Sequence, residues 1–323
     1  MSSVKTEKGR VSRNNLIVIL GPTASGKTDL ATKLARKFGG EIINADSRQI
    51  YCHLDIGTAK ESRWRMANGK WQKIHLVDIA DPVKIITAAQ YKRLAEKRIG
   101  EIIKRERLPI LCGGTMLYID MVTKDYQMPQ GAPNKILRKK FAKKSLKELV
   151  WQLKRIDPKA IRRVDLKNRR RVERALELAL LGQSITAAKK GKSKYNILKI
   201  GIAKPREELY EKINRRVEQM IDRGLIEETK KIYKKYGDEI LKQTLGYQEI
   251  LSWLKTKPDK IILEDDFVRL VQQIQKNTRH YAKRQLTWWK RDKEIKWVKN
   301  YKEAENLLRH FLKNKYLDFT PLR

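Results

Sequence analysis

Hydrophobic positions along this chain follow two rhythms. Leu16-Ile17-Val18-Ile19-Leu20 is a continuous aliphatic run that ends at Gly21, the pattern of a strand covered on both faces in a parallel sheet. Leu30, Leu34 and Phe38 then recur at helical spacing, which predicts a helix from Gly26 to about Lys37, stopped by Gly39-Gly40 and followed by a strand over Glu41 to Asn44. Thr87-Ala-Ala-Gln90 fits a capping box and predicts a long helix to about Arg107, with Pro109 to Cys112 as the next buried strand.

Between about Lys124 and Lys194 the rhythm changes. Strand-like runs vanish, basic residues crowd together, and helical patterns such as Leu146 to Leu153 and Val172 to Leu181 take over. A strand returns at Leu198 to Ile202. Leu209, Ile213, Val217, Met220 and Ile221 then share one helical face that ends at Gly224. Phe267, Leu270, Val271, Ile274 and Tyr281 mark a long amphipathic helix, followed by a strand at Ile295 to Val298 and a terminal helix. The pattern therefore predicts an α/β core at 15–123 and 196–323, a helical insertion at 124–195, and a disordered basic tail at 1–14.

Composition sharpens this picture at three points. At 41% hydrophobic and 34% charged over 323 residues, the chain is expected to fold as a soluble protein. Its 74 basic against 37 acidic side chains give a formal charge of +37, which suits a polyanionic partner but also a lysine-rich solvated surface. Cys52 and Cys112, without neighbouring ligands at zinc spacing, argue against a disulfide framework or zinc finger and for a reducing, cytoplasmic setting. No apolar run approaches the ~18 residues of a membrane span.

The strongest chemical signal is Gly21-Pro22-Thr23-Ala24-Ser25-Gly26-Lys27-Thr28, a phosphate-binding P-loop pattern set between a buried strand and a helix. Its backbone N–H groups and the helix N-terminus suit a diphosphate, Lys27 a terminal phosphate, and the Thr28 hydroxyl a Mg²⁺ ion. The aspartate of an ordinary P-loop ATPase is missing after the later strand, where Gly113-Gly114-Thr115 stands instead. Asp46, just beyond the second strand, is placed to take a proton or merely to cap a turn. Arg169-Arg170-Arg171 with Arg174 offers either phosphate contacts or a solvated helix face. Thr278 to Arg291 interleaves aromatic with basic residues, including Lys283 and Arg284, a mixture suited to nucleic acid.

Five stretches together resemble the tRNA dimethylallyltransferase family, from Leu16 to about Trp297. They are Gly21 to Thr28; Ile43 to Tyr51 with Asp55 to Lys60; Gly113 to Tyr118; Leu245-Gly246-Tyr247; and Thr278 to Trp288. The resemblance implies a P-loop NTPase-like parallel sheet flanked by helices, and transfer of a dimethylallyl group from dimethylallyl diphosphate to the adenine 3′-adjacent to the anticodon. It makes Asp46 the general base and Thr115 its neighbour. It sets Thr23, Ala24, Ser25, Gly26, Lys27, Thr28 and Arg216 around the diphosphate, with Mg²⁺ as cofactor held through Thr28. It implies tRNA contacts at Asp46, Ser47, Arg48, Gln49, Arg170, Arg171, Arg174, Gln243, Gly246, Tyr247, Gln248, Lys283 and Arg284, and a cytoplasmic monomer. Glu61 and Arg48 depart from the family pattern, as do the stretches Tyr126 to Pro133 and Val164 to Asn168. Other readings of the same residues are an adenylate isopentenyltransferase acting on free AMP, ADP or ATP, a nucleic-acid-associated P-loop ATPase or kinase, and a non-catalytic RNA-binding protein.

Overall fold

In the computed structural model, residues 14–65, 69–127, 134–187, 189–256 and 264–313 are described, so nearly all of the expected N-terminal tail lies outside them. The chain opens with β1 (Asn15–Leu20), α1 (Lys27–Phe38) and β2 (Gly40–Asn44). A short hairpin, β3 (Arg63–Arg65) and β4 (Trp71–Lys73), leads to α2 (Ala88–Lys104), β5 (Leu108–Gly113) and α3 (Met116–Thr123). The segment that follows holds β6 (Tyr126–Gln127), α4 (Lys135–Ala142), α5 (Leu146–Ile156), α6 (Pro158–Ile161), α7 (Arg169–Leu180) and β7 (Lys189–Lys190). The chain then returns through β8 (Asn196–Ile202), α8 (Arg206–Asp222), α9 (Leu225–Tyr236), α10 (Tyr247–Thr256), α11 (Glu264–Trp289), β9 (Lys296–Val298) and α12 (Tyr301–Lys313).

The main sheet is parallel throughout, in the order β2-β5-β1-β8-β9. Every residue of β1 is buried, and its side chains divide by parity. Leu16, Val18 and Leu20 enter a core shared with Tyr91, Ile99 and Ile102 of α2, whereas Ile17 and Ile19 enter a second core shared with Leu30 and Leu34 of α1 and Leu308 of α12. That double coverage is why the strand reads as an unbroken aliphatic run. The crevice beyond the carboxyl ends of such strands is where open α/β sheets gather their sites.

The capping box of α2 forms as its sequence predicts: the Thr87 side chain accepts from Gln90 N–H, and Gln90 reaches back to Thr87 N–H. The helix stops at Lys104, earlier than Arg107, because Glu106 turns the chain with a left-handed φ of 55°.

The chain divides into two compact units, residues 1–123 with 194–323 and residues 124–193. The smaller unit has its own core of Phe141, Leu149, Leu153, Ala160, Val172 and Leu176. It is not free of strand, as its polar composition suggested. Tyr126–Gln127 pairs antiparallel with Lys189–Lys190, a ladder too short to leave a periodic trace. Among the described residues no helix is long and apolar enough to cross a membrane.

Candidate active site

Two loops meet at the ends of β1, β2 and β5. After β2 the chain makes a tight approach to β5: Ala45 N–H donates to Cys112 C=O at 2.7 Å, and Thr115 N–H donates back to Ala45 C=O at 3.0 Å. Gly113 is required there, since a Cβ would fall on the backbone of Ala45. Asn44 braces the turn, accepting Asp46 N–H through Oδ1 at 3.1 Å. Asp46 Oδ1 accepts the N–H of Arg48 at 2.8 Å and of Gln49 at 3.4 Å, and the Thr115 hydroxyl accepts Ser47 N–H at 2.8 Å. Asp46 thus caps a turn and lines the cavity beside it, so the two sequence readings describe one residue.

The glycine-rich loop turns into α1 through Gly26, left-handed at φ 88°. Lys27 folds back so that its amine donates to Pro22 C=O at 2.7 Å, and no carboxylate lies in ion-pair contact with it among the described residues. Burial pushes the Lys27 amine down to about 8; Arg216 acts the same way, while Cys112 and Asp46 oppose it. Burial likewise lowers Arg216, against the pull of Asp46 and Glu61, and its guanidinium donates to Thr58 C=O at 3.3 Å. Burial pushes the Cys112 thiol up to about 12. The Ser25 hydroxyl is buried without a partner. Two cations answered by carbonyls, an orphaned hydroxyl and a helix N-terminus form a donor set suited to an anion carrying several oxygens. The Thr28 hydroxyl on the first turn of α1 suits a magnesium ion that such an anion would carry, and no cluster of three carboxylate, histidine or cysteine ligands exists among the described residues to hold one alone.

Beside this donor set opens a cavity of about 310 Å³, reached by the phosphate loop at Thr23 and by Arg216. Its lining is apolar at Ile213, Val217 and Met220 of α8 with Leu245 and Ile274, and polar or charged at Thr23, Asp46, Ser47, Arg48, Arg284 and Arg216, the last also on α8. Gly57, Thr58, Gln243, Thr244, Gly246, Gln248, Thr278 and Tyr281 complete it. Arg284 lies over the Tyr281 ring at 5.7 Å, and the Tyr281 hydroxyl donates to Gly114 C=O at 3.3 Å. Burial raises the Tyr281 hydroxyl above its ordinary range, which keeps it a donor.

Several residues expected at the site sit elsewhere. Gln49 donates to Thr58 C=O at 3.0 Å and braces the wall. Tyr247 has no exposed surface, contrary to a nucleic-acid contact; its hydroxyl donates to Glu228 at 2.5 Å and accepts Gly57 N–H at 3.1 Å, fixing the loop that carries Thr58. Lys283 is exposed outside the cavity lining. In the smaller unit, Arg174 donates to buried Glu177 at 3.1 Å and Arg169 bonds Glu173 and two carbonyls, so both hold their own fold, while Arg170 and Arg171 are exposed. The α8 residues of the apolar wall had been legible only as the buried face of a helix. Thr58 and Thr278 lay within stretches shared with the family and Ile274 on an amphipathic helix face, but none had been singled out as a cavity residue.

A parallel sheet with a glycine-rich phosphate loop leading into its first helix, and Asp46 lining the cavity beside that loop, defines a P-loop-like α/β protein. Residues 49–292 match the family described as IPP transferase, and the chain belongs to that family. It is 42% identical to a tRNA dimethylallyltransferase of Halothermothrix orenii, over 95% of this chain and 95% of that protein. Another of Anoxybacillus flavithermus is 38% identical over 93% and 97%. The crystal structure of a tRNA isopentenylpyrophosphate transferase from Bacillus halodurans superposes with a TM-score of 0.68 at 34% identity, covering 94% of this chain and 98% of its own.

Proposed function

We propose that the chain transfers the dimethylallyl group of dimethylallyl diphosphate to the N6 amine of the adenine 3′-adjacent to the anticodon in tRNA, giving N6-isopentenyladenosine. The observation that carries this reading is the cavity itself, where an aliphatic wall from α8, the phosphate loop at Thr23, the Arg216 guanidinium and the Asp46 carboxylate share one space. An apolar five-carbon chain fits the first, its diphosphate the second and third, and an attacking amine the last.

The reaction forms the N6–C1 bond and breaks the C1–O bond of the donor. Asp46 takes the amine proton, and the departing electron pair stays on diphosphate, whose charge Lys27 and Arg216 answer. Thr115 acts through the turn it holds at Ser47. Magnesium, when bound through Thr28, neutralises further diphosphate charge. The target adenine leaves its stack to reach the cavity. We place Arg48, Gln243, Gly246, Gln248 and Arg284 on the RNA side of the opening, Arg170 and Arg171 on the tRNA stem, and the protein in the cytoplasm as a monomer, which light scattering of the purified protein checks.

The test is transfer of labelled dimethylallyl groups, with Mg²⁺, to an unmodified anticodon stem-loop and separately to AMP. Labelled RNA supports the reading. Labelled AMP in its place would assign the chain to free adenylates, and no label in either would sink prenyl transfer altogether.

A further inference from the structure

Most of the polar side chains of α11 face solvent or the cavity, but Gln285 is only 1% exposed. Its Oε1 accepts Thr23 N–H at 2.9 Å, and its Nε2 donates to Gly114 C=O at 2.8 Å. These partners fix the amide orientation chemically: a backbone N–H must meet the oxygen and a carbonyl must meet the nitrogen. Contact is close enough that a Cβ at Gly114 would fall 2.6 Å from Nε2.

Each backbone group belongs to a loop with chemistry on it. Thr23 is the part of the phosphate loop that lines the cavity. Gly114 precedes Thr115, whose hydroxyl holds Ser47 and whose N–H holds Ala45, the two neighbours of Asp46. One buried amide therefore ties the diphosphate loop to the loop of the general base. The helix does not depend on it for docking, since Trp288 Nε1 donates to Asp120 at 3.1 Å, Arg279 donates to Asn214 at 2.6 Å, and Trp289 is fully packed.

We propose that Gln285 is a positioning residue that sets the spacing between the leaving diphosphate and Asp46. This rests on the prenyl-transfer reading. The role needs an acceptor and a donor at the end of one side chain of this length. Methionine fills the space but leaves the Thr23 N–H unpaired and the Gly114 C=O with only the longer bond from the Tyr281 hydroxyl, and an ionised glutamate turns an acceptor against that carbonyl.

The experiment compares full-length wild type, Gln285→Met and Gln285→Glu from pH 5 to 9. It measures kcat, the KM for dimethylallyl diphosphate, tRNA Kd without donor, thermal unfolding, and calorimetric binding of inorganic diphosphate. Gln285→Met is expected to lower kcat by about tenfold or more with tRNA Kd within about twofold, because a small displacement between reacting groups costs rate rather than RNA contact. Gln285→Glu is expected to approach wild type at low pH, where the carboxylic acid donates to Gly114, and to fall away as it ionises. Lys27 of α1, Cys112 of β5 and Asp46 are coupled across this junction, as is Tyr281 on α11, so the ratio of variant to wild type isolates the new group from their titration.

A Gln285→Met enzyme with wild-type kcat, or a variant-to-wild-type ratio that is flat with pH, would overturn the proposal. Should Gln285→Glu fail to fold, Gln285→Met and Gln285→Asn decide by kcat and diphosphate affinity. If wild type transfers no prenyl group, that reading fails by itself, and weakened diphosphate binding in Gln285→Met still supports the bridge while unchanged binding removes it.

Discussion

Arg138 and Arg174 of the smaller unit differ from Lys27 and Arg216 beside the cavity in what answers them. In the smaller unit Arg138 and Arg174 converge on Glu177, which has no exposed surface; burial works to raise that carboxyl, but the two guanidinium hydrogen bonds outweigh it and hold it below the ordinary range. Beside the cavity, Lys27 and Arg216 donate to carbonyl oxygens and are both pulled down by burial. Paired cations have their charge satisfied and hold a fold. Cations whose hydrogen bonds go to carbonyls, with Asp46 and Glu61 acting on them only at longer range, keep an electrostatic deficit that an incoming anion removes.

The comparison can be broken at several points. The largest effect is expected at the acid that faces the unpaired cations: Asp46→Ala should lower kcat by ~10² to 10⁴ with tRNA affinity unchanged, the range for loss of a general base. Single-turnover kinetics beside filter binding checks it, and equal losses in both would remove that role. Next, Glu177→Ala should destabilise the smaller unit by about 2 kcal/mol, because it removes charge-assisted hydrogen bonds from two guanidinium groups that water can reach only in part. Denaturant titration measures this, and a shift of a few tenths would show the pair to be incidental.

Lys27→Met should weaken inorganic diphosphate binding by roughly 10- to 100-fold, the worth of a charge-assisted contact. Since the free amine titrates at about 8, wild type above that pH should take up a proton on binding. Calorimetry in buffers of different ionisation enthalpy reads the uptake, which should vanish in Lys27→Met. The smallest effect is expected for Arg170→Ala with Arg171→Ala, which should leave thermal stability in place and flatten the salt dependence of tRNA binding by roughly one unit of slope per lost phosphate contact. An unchanged slope would make both residues solvated surface.

Elements that satisfy themselves locally could be read from the amino-acid sequence. The doubly buried β1 showed as an aliphatic run, and α2 announced its start through Thr87 and Gln90. The hairpin β3–β4 left no mark, because Arg-Trp-Arg and Trp-Gln-Lys are too short and too polar to show a period. The phosphate loop was legible since loop, ligand donors and helix start are contiguous. Asp46 was legible as a position at a strand end, though not as both cap and cavity lining. What stayed hidden was the wall: Ile213, Val217 and Met220 carry the same periodicity whether a helix face meets a core or a cavity. Tyr247 misled for the converse reason, as a motif residue can be retained to hold a loop rather than to touch a substrate.

The bond from Thr23 to Gln285 spans 262 residues of chain. Ribosomes add roughly 5 to 20 residues each second, so the phosphate loop emerges on the order of 13 to 50 s before the helix that completes its surroundings. For that interval the nascent chain carries a glycine-rich loop with its Thr23 N–H open to water and no finished cavity. Prenyl donor and RNA thus meet a competent site only once α11 has left the exit tunnel, and synthesis itself times the onset of activity.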